Sequence, residues 1–103
     1  MLFKKNTTVQ TLTLLDRDGK PLYQGPLKEY PLPEKTVLEL SNEFFSDPEP
    51  CEIHRGAVHM RVYMELIDLC ASGAPVKIAG LDERTRGYFP PDADRVTITE
   101  EKR

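Results

Sequence analysis

Apolar residues between positions 53 and 71 recur at the spacing of an α-helix and form the longest regular pattern in the chain. One stripe, at three- and four-residue intervals, consists of Ile53, Ala57, Met60, Met64, Ile67 and Ala71. A second stripe beside it consists of Val58, Val62, Leu66 and Leu69. Two neighbouring stripes predict a helix that is mostly covered by its own protein. The remainder is a narrow polar edge carrying His54, Arg55, His59 and Arg61.

A shorter helix is predicted before this one. Pro33 suits a first helical position, and Glu34 places a negative charge in the first turn, where the helix dipole favours it. The apolar side of this helix comprises Val37, Leu40, Ser41 and Phe44, widened by Leu38 and Phe45. A short strand over Thr36 to Leu40 is the alternative, because those residues also alternate in polarity.

The link between the two helices is rich in proline and leaves the start of the second helix open. Asp47 could cap the helix with Pro48 at its first position, or the helix could begin later, near His54. Its end is marked by Gly73, which can take the left-handed conformation that closes many helices.

Short strands are predicted on both sides of the helices. Thr7 to Leu15 is rich in threonine, valine and leucine, and an Asp-Gly turn at Gly19 leads into a returning strand over Pro21 to Gln24. Two more strands are predicted at Val76 to Ala79 and at Val96 to Thr99. The order β-β-α-α-β-β predicts an α+β fold, in which a small antiparallel sheet of two hairpin-like strand pairs is covered on one face by the two helices.

The core is expected where the helices face the sheet. Residues expected to be mostly buried are Val58, Met60, Val62, Met64, Leu66 and Ile67. Leu40 and Phe44 of the first helix should pack against them. With 103 residues and 39% hydrophobic content, the chain is expected to be one domain, 1–103, with one modest core.

Composition narrows the possible classes of function. The formal net charge is −3, opposite in sign to that of most dedicated nucleic-acid or anionic-membrane binders. No apolar run approaches the roughly 20 residues needed to span a bilayer, and no apolar signal segment follows Lys4 and Lys5. The expected location is therefore cytoplasmic, without membrane contact.

No motif predicts catalysis or a cofactor. Cys51, His54, His59 and Cys70 are a nominal set of four zinc ligands. On one helix, however, the two histidines would point about 140° apart and Cys70 would lie far along the axis, so the four could not meet at one ion. Neither a glycine-rich phosphate loop nor a marked nucleophile is present. The chain is therefore predicted to be non-enzymatic, with no metal and no organic cofactor.

The long connection from Gly80 to Arg95 is the first candidate contact segment. Arg84, Arg86, Tyr88 and Phe89 combine residue types that are enriched at the centres of protein interfaces. The alternative is that the two aromatic rings fold back to cap the core while the arginines remain solvated.

The polar edge of the long helix is the second candidate. Arg55, His59 and Arg61 lie beside an acidic first helix and form a charge-divided surface that could select a protein partner. We therefore expect a non-enzymatic protein-interaction or accessory module of unknown pathway and oligomeric state. The alternative is a helix-turn-helix-like nucleic-acid-binding regulator, which the acidic first helix disfavours because phosphates would lie close to it.

Overall fold

A computed structural model describes residues 8–102 of the chain. In chain order the elements are β1 (Thr8–Asp16), β2 (Pro21–Pro26), α1 (Glu34–Phe45), α2 (Glu52–Leu69), β3 (Val76–Lys77), α3 (Glu83–Arg86) and β4 (Ala93–Lys102). Single turns of 3₁₀-helix occur at Leu27–Glu29 and Ile78–Gly80. The predicted α+β fold is confirmed; Thr7 of the first predicted strand, and the lysines at positions 4 and 5, lie outside the described residues.

The four strands form one antiparallel sheet in the order β2-β1-β4-β3, with the two main helices between β2 and β3 in the chain. β1 pairs with β4 from Thr8↔Lys102 to Asp16↔Ala93. Leu12 and Leu14 of β1 and Val96 and Ile98 of β4 are buried, whereas Thr13 and Thr97 between them are partly exposed. This alternation is the period of a strand with one covered face.

The predicted hairpin between β1 and β2 forms around Asp16. Its carboxylate accepts hydrogen bonds from the backbone N–H groups of Asp18 and Lys20, both at 2.9 Å. Gly19 has a φ of +83°, a conformation that side-chain-bearing residues rarely adopt. The turn chemistry of the sequence thus sets the register of the first strand pair.

Both predicted helices are present, and the strand alternative for Thr36 to Leu40 is wrong. α1 follows Pro33 and ends at Ser46, whose φ of +53° is left-handed. Of the two possible starts of the second helix, the later one is correct, because Cys51 is the last non-helical residue before α2. Gly73, with a φ of +78°, takes the expected left-handed conformation beyond the end of α2.

The expected core is half correct. Val58, Val62 and Leu66 are at most 1% exposed, and Leu40 is buried with them, while Phe44 and Ile67 are partly buried and pack against this cluster. Met60 and Met64, expected inside, are 57% and 60% exposed. In a domain of two layers, the sheet can cover only one side of α2, so the stripe that contains Ile53, Met60 and Met64 remains largely on the surface.

The connection from Gly80 to Arg95 is more ordered than the sequence predicted. Asp82 caps the short helix α3 by accepting a hydrogen bond from the Thr85 N–H at 2.8 Å. β4 already begins at Ala93, and the preceding strand β3 is only two residues long. No helix in the described part of the chain is both long enough and apolar enough to cross a bilayer.

Candidate protein-contact face

The surface of α2 that points away from the sheet is apolar along the length of the helix. This outer face of α2 consists of Ile53, Ala57, Met60, Met64 and Ile67, continued just past the helix by Ala71. Ile53 is 82% exposed, and Ala57 and Ala71 are also exposed. At one end, the ring of Phe45 extends the apolar surface and is 40% exposed. Monomeric proteins rarely leave a contiguous apolar strip of this kind in water without a binding role.

The end of α1 holds one flank of this face through two ring contacts. The imidazole of His54 stacks on Phe45 with ring centroids 4.2 Å apart. The guanidinium carbon of Arg61 lies 4.2 Å from the centroid of the Phe44 ring. These contacts hold α2 against α1 and leave Ile53, Met60 and Met64 of the outer face more than half exposed.

Arg55 and His59, predicted to share a polar edge with His54 and Arg61, make separate contacts elsewhere. Arg55 forms a two-pronged ion pair with Glu34, with nitrogen–oxygen distances of 2.9 and 2.6 Å. This bond raises the pKa of Arg55 and lowers that of Glu34. His59 Nδ1 lies 2.7 Å from the carbonyl oxygen of Arg55. The predicted charge-divided surface is therefore partly neutralised within the chain.

The four predicted contact residues after α2 separate into two buried rings and two exposed arginines. Tyr88 and Phe89 are 1% and 5% exposed, so the alternative is correct and their rings close the core. The Tyr30 hydroxyl donates to the Tyr88 carbonyl at 2.7 Å, which fastens the segment to the β2–α1 connection. Arg84 pairs with Glu43 of α1 at 3.3 Å. Arg86 remains an exposed candidate contact.

A cluster of three possible metal ligands occupies the start of α2, and only two of its members belong to the set weighed from the sequence. Ligand atoms of Asp47, Cys51 and His54 lie within 4.8 Å of one another. The shortest contact joins His54 Nδ1 to Asp47 Oδ2 at 2.7 Å, and this bond lowers the pKa of the Asp47 carboxyl. Asp47 also accepts a bond from the Cys51 N–H at 3.4 Å. The geometry is that of a carboxylate securing the start of a helix.

Buried tyrosines are the most strongly perturbed ionisable groups in the described chain. Burial raises the pKa of Tyr30 above its ordinary value. Burial and the hydrogen bond to Glu65 raise the pKa of Tyr88 to about 12. Both hydroxyls act as donors to fixed acceptors inside the fold. These hydrogen bonds stabilise the packing of the fold.

Sequence reasoning found every residue of the outer face of α2 and expected Met60, Met64 and Ile67 among them to be mostly buried. The periodic pattern was correct, whereas the expectation that both stripes are covered was wrong. The missed signal is the number of layers, because two main helices packed on one four-stranded sheet leave the far side of the 18-residue helix α2 without a covering layer. Comparison of the chain with protein-family models, curated proteins and solved structures finds no match.

Proposed function

We propose that this protein is a non-enzymatic cytosolic interaction module that binds an amphipathic helix of a protein partner on the outer face of α2. The observation that carries the proposal is the exposure of Ile53, Met60 and Met64, at 82%, 57% and 60%, on one line of one helix. A partner helix with its own apolar stripe would remove all three from water.

The residue types on this face support the same function. Methionine side chains are flexible and polarizable, which lets them adapt to an apolar partner surface. Ala57 and the neighbouring Gly56 are small and exposed, and small residues permit close approach of a second helix. Met60 and Met64 would then fit around the side chains of the partner.

The nucleic-acid alternative receives little support from the same geometry. A recognition helix places basic and polar side chains in the groove. On α2, Arg55 is paired with Glu34 and Arg61 is stacked on Phe44, while the exposed line between the flanks is apolar. Titration with duplex DNA should therefore show no binding at physiological salt.

Affinity purification from the native cell, comparing three forms of the chain, tests the proposal. The wild type should recover one protein in stoichiometric amount, whether an untagged copy of the same chain or a different protein. Met60→Glu with Met64→Glu should lose it, because two buried charges would face an apolar partner. Gln24→Glu with Thr99→Glu adds the same two charges at exposed positions of the sheet and should retain it. Equal recovery by all three forms would contradict the assignment of this face.

A further inference from the structure

The outer face of α2 has the same residue spacing when it is read from either end. Counted from Val62, the outermost pair, Ile53 and Ala71, lies nine positions away on each side. Ala57 and Ile67 lie five positions away, and Met60 and Met64 lie two positions away. The stripe therefore has a centre of symmetry at the level of Val62.

Such a stripe can pair with an identical stripe running in the opposite direction. A two-fold axis requires that when residue i of one chain meets residue j of the other, j also meets i. An axis at the level of Val62 satisfies this condition. It places Ile53 opposite Ala71, Ala57 opposite Ile67 and Met60 opposite Met64, with each contact occurring twice.

The residue sizes agree with this pairing. At the outer two levels a large isoleucine faces a small alanine, and at the centre two methionines of equal size face each other. Alternation of large and small residues across facing positions lets helices interdigitate without a void or a clash. The intervals of four and three residues are also the spacing at which one helix packs along another.

We propose that α2 of a second copy of this chain binds the outer face of α2. The two helices pack antiparallel about a two-fold axis that crosses the outer face at the level of Val62. The proposal rests on the proposed function, since it names the partner of that same face. An 18-residue helix offers a contact about 27 Å long. The area that one such helix pair buries is at the small end of the range for specific interfaces. The expected dimer therefore dissociates in the micromolar range.

Charges beside the face are compatible with the antiparallel direction. Antiparallel helices align their dipoles favourably, and Asp68, near the end of one α2, would lie by the first turn of the other, near His54. The cation closest to its own copy across the axis would be Arg61, whose guanidinium is held over Phe44 of its own chain. A parallel pair would instead place the two helix starts together and align the two dipoles unfavourably.

Sedimentation equilibrium of the purified full chain over a concentration series tests the proposal. The wild type should pass from monomer to dimer between about 1 and 300 µM. Met64→Glu should raise the dissociation constant at least about 100-fold, because the symmetry places the buried charge in the interface twice. Gln24→Glu adds the same charge at an exposed position on β2 and should leave dimerisation unchanged.

The register is tested by cysteine pairs in a Cys51→Ser background, in which the remaining thiol, Cys70, is buried. Ala57→Cys with Ile67→Cys should form a covalent dimer under mild oxidation, since the two positions face each other. Ala57→Cys alone should not, because its copy lies ten residues away along the axis, about 15 Å, whereas a disulfide needs Cα atoms within about 7 Å. Cross-linking of Ala57→Cys alone would indicate a parallel pair and overturn the proposal.

Failure of this inference and failure of the proposed function give different results. A wild type that stays monomeric at about 300 µM overturns the dimer; if Met60→Glu with Met64→Glu still abolishes recovery of a different protein, the function of the face stands. A dimer that Met64→Glu does not weaken places the interface elsewhere and overturns the inference. Loss of dimerisation in Met64→Glu, with its thermal unfolding unchanged, supports it.

Discussion

The inner and outer faces of α2 are equally regular in sequence and opposite in environment. The inner face, Val58, Val62 and Leu66, is at most 1% exposed, whereas Ile53, Met60 and Met64 on the outer face are more than half exposed. Branched side chains with few rotamers line the inner face, and unbranched methionines with alanines line much of the outer one. Periodicity therefore establishes that a helix has apolar faces, while the number of layers in the fold decides which of them is covered.

The largest expected effect is a difference in the free energy of unfolding between variants of Leu66 and Met64, two positions apart on opposite faces of α2. Leu66→Ala should lower the free energy of unfolding by about 2–5 kcal/mol, because it leaves a cavity against the sheet. Met64→Ala should change it by no more than about 0.5 kcal/mol in dilute, monomeric protein. Urea denaturation of both variants measures the difference. Equal losses would mean that the two faces are covered alike.

Alkali should lower the free energy of unfolding through the buried tyrosines on the inner side of the fold. Tyr88 is buried and donates to Glu65, and its pKa is raised to about 12, whereas an unfolded tyrosine loses its proton near about 10. Between these values the unfolded state binds fewer protons, so this contribution is complete below pH 10 and is lost as the pH rises towards 12. Denaturant unfolding across that range should show a loss of stability, to which Tyr88 contributes up to about 2–3 kcal/mol.

Tyr88→Phe is the control for this pH dependence. It should have a shallower decline than the wild type between about pH 10 and 12, because one of the raised tyrosines has been removed. Burial also raises the pKa of Tyr30 and Tyr63, so a smaller slope should remain. An identical slope in the variant and the wild type would show that Tyr88 does not carry the effect.

Substitution of Ser41, a buried residue of α1, tests what an unpaired hydroxyl in the core costs in stability. Its side chain is fully buried, and its oxygen has no hydrogen-bond partner among the described residues. Ser41→Ala should therefore be neutral or should stabilise the fold by up to about 1 kcal/mol. The matched variant is Thr36→Val, which removes a hydroxyl that donates to the Gly87 carbonyl at 2.6 Å and should cost about 1 kcal/mol. Thermal melts of both should move in opposite directions or differ clearly in size.

A further small effect is expected at Arg61, which lies on the flank between the two faces. Arg61→Ala removes a guanidinium from the Phe44 ring and should cost about 0.5–1 kcal/mol, the usual value for an exposed cation–ring contact. Arg61→Lys keeps the charge and should cost less. A shift in the urea midpoint measures both. If alanine and lysine have the same effect, packing of the arginine stem rather than its cation supports the flank.

The sequence was informative wherever structure depends on neighbouring residues. The turn at Asp16 to Lys20, the left-handed glycine at position 73 and the strand rich in threonine, valine and leucine before the turn were all readable, because each follows from residues close together in the chain. The two-helix, one-sheet architecture followed from the order of these local elements.

Features that depend on distant partners were not readable. β4 continues through Glu100 and Lys102 because β1 supplies paired backbone groups, although charged residues are poor strand formers. Asp47 joins Cys51 and His54 only because the link between the helices folds back to the start of α2. The roles of Tyr88 and Phe89 likewise depended on how much room the core had left, which no local pattern records.

The pairing of β1 with β4 has a consequence for how this chain folds. The two central strands of the sheet are joined by contacts between residues such as Thr8 and Lys102, at opposite ends of the described chain. Leu12 and Leu14 therefore lack their neighbours on β4 until the chain has been synthesised as far as Val96 and Ile98. Contacts of such long sequence separation slow folding, because a long loop must close before they form. The hairpin and the helix pair can form early, but the sheet that joins them must wait for the last strand.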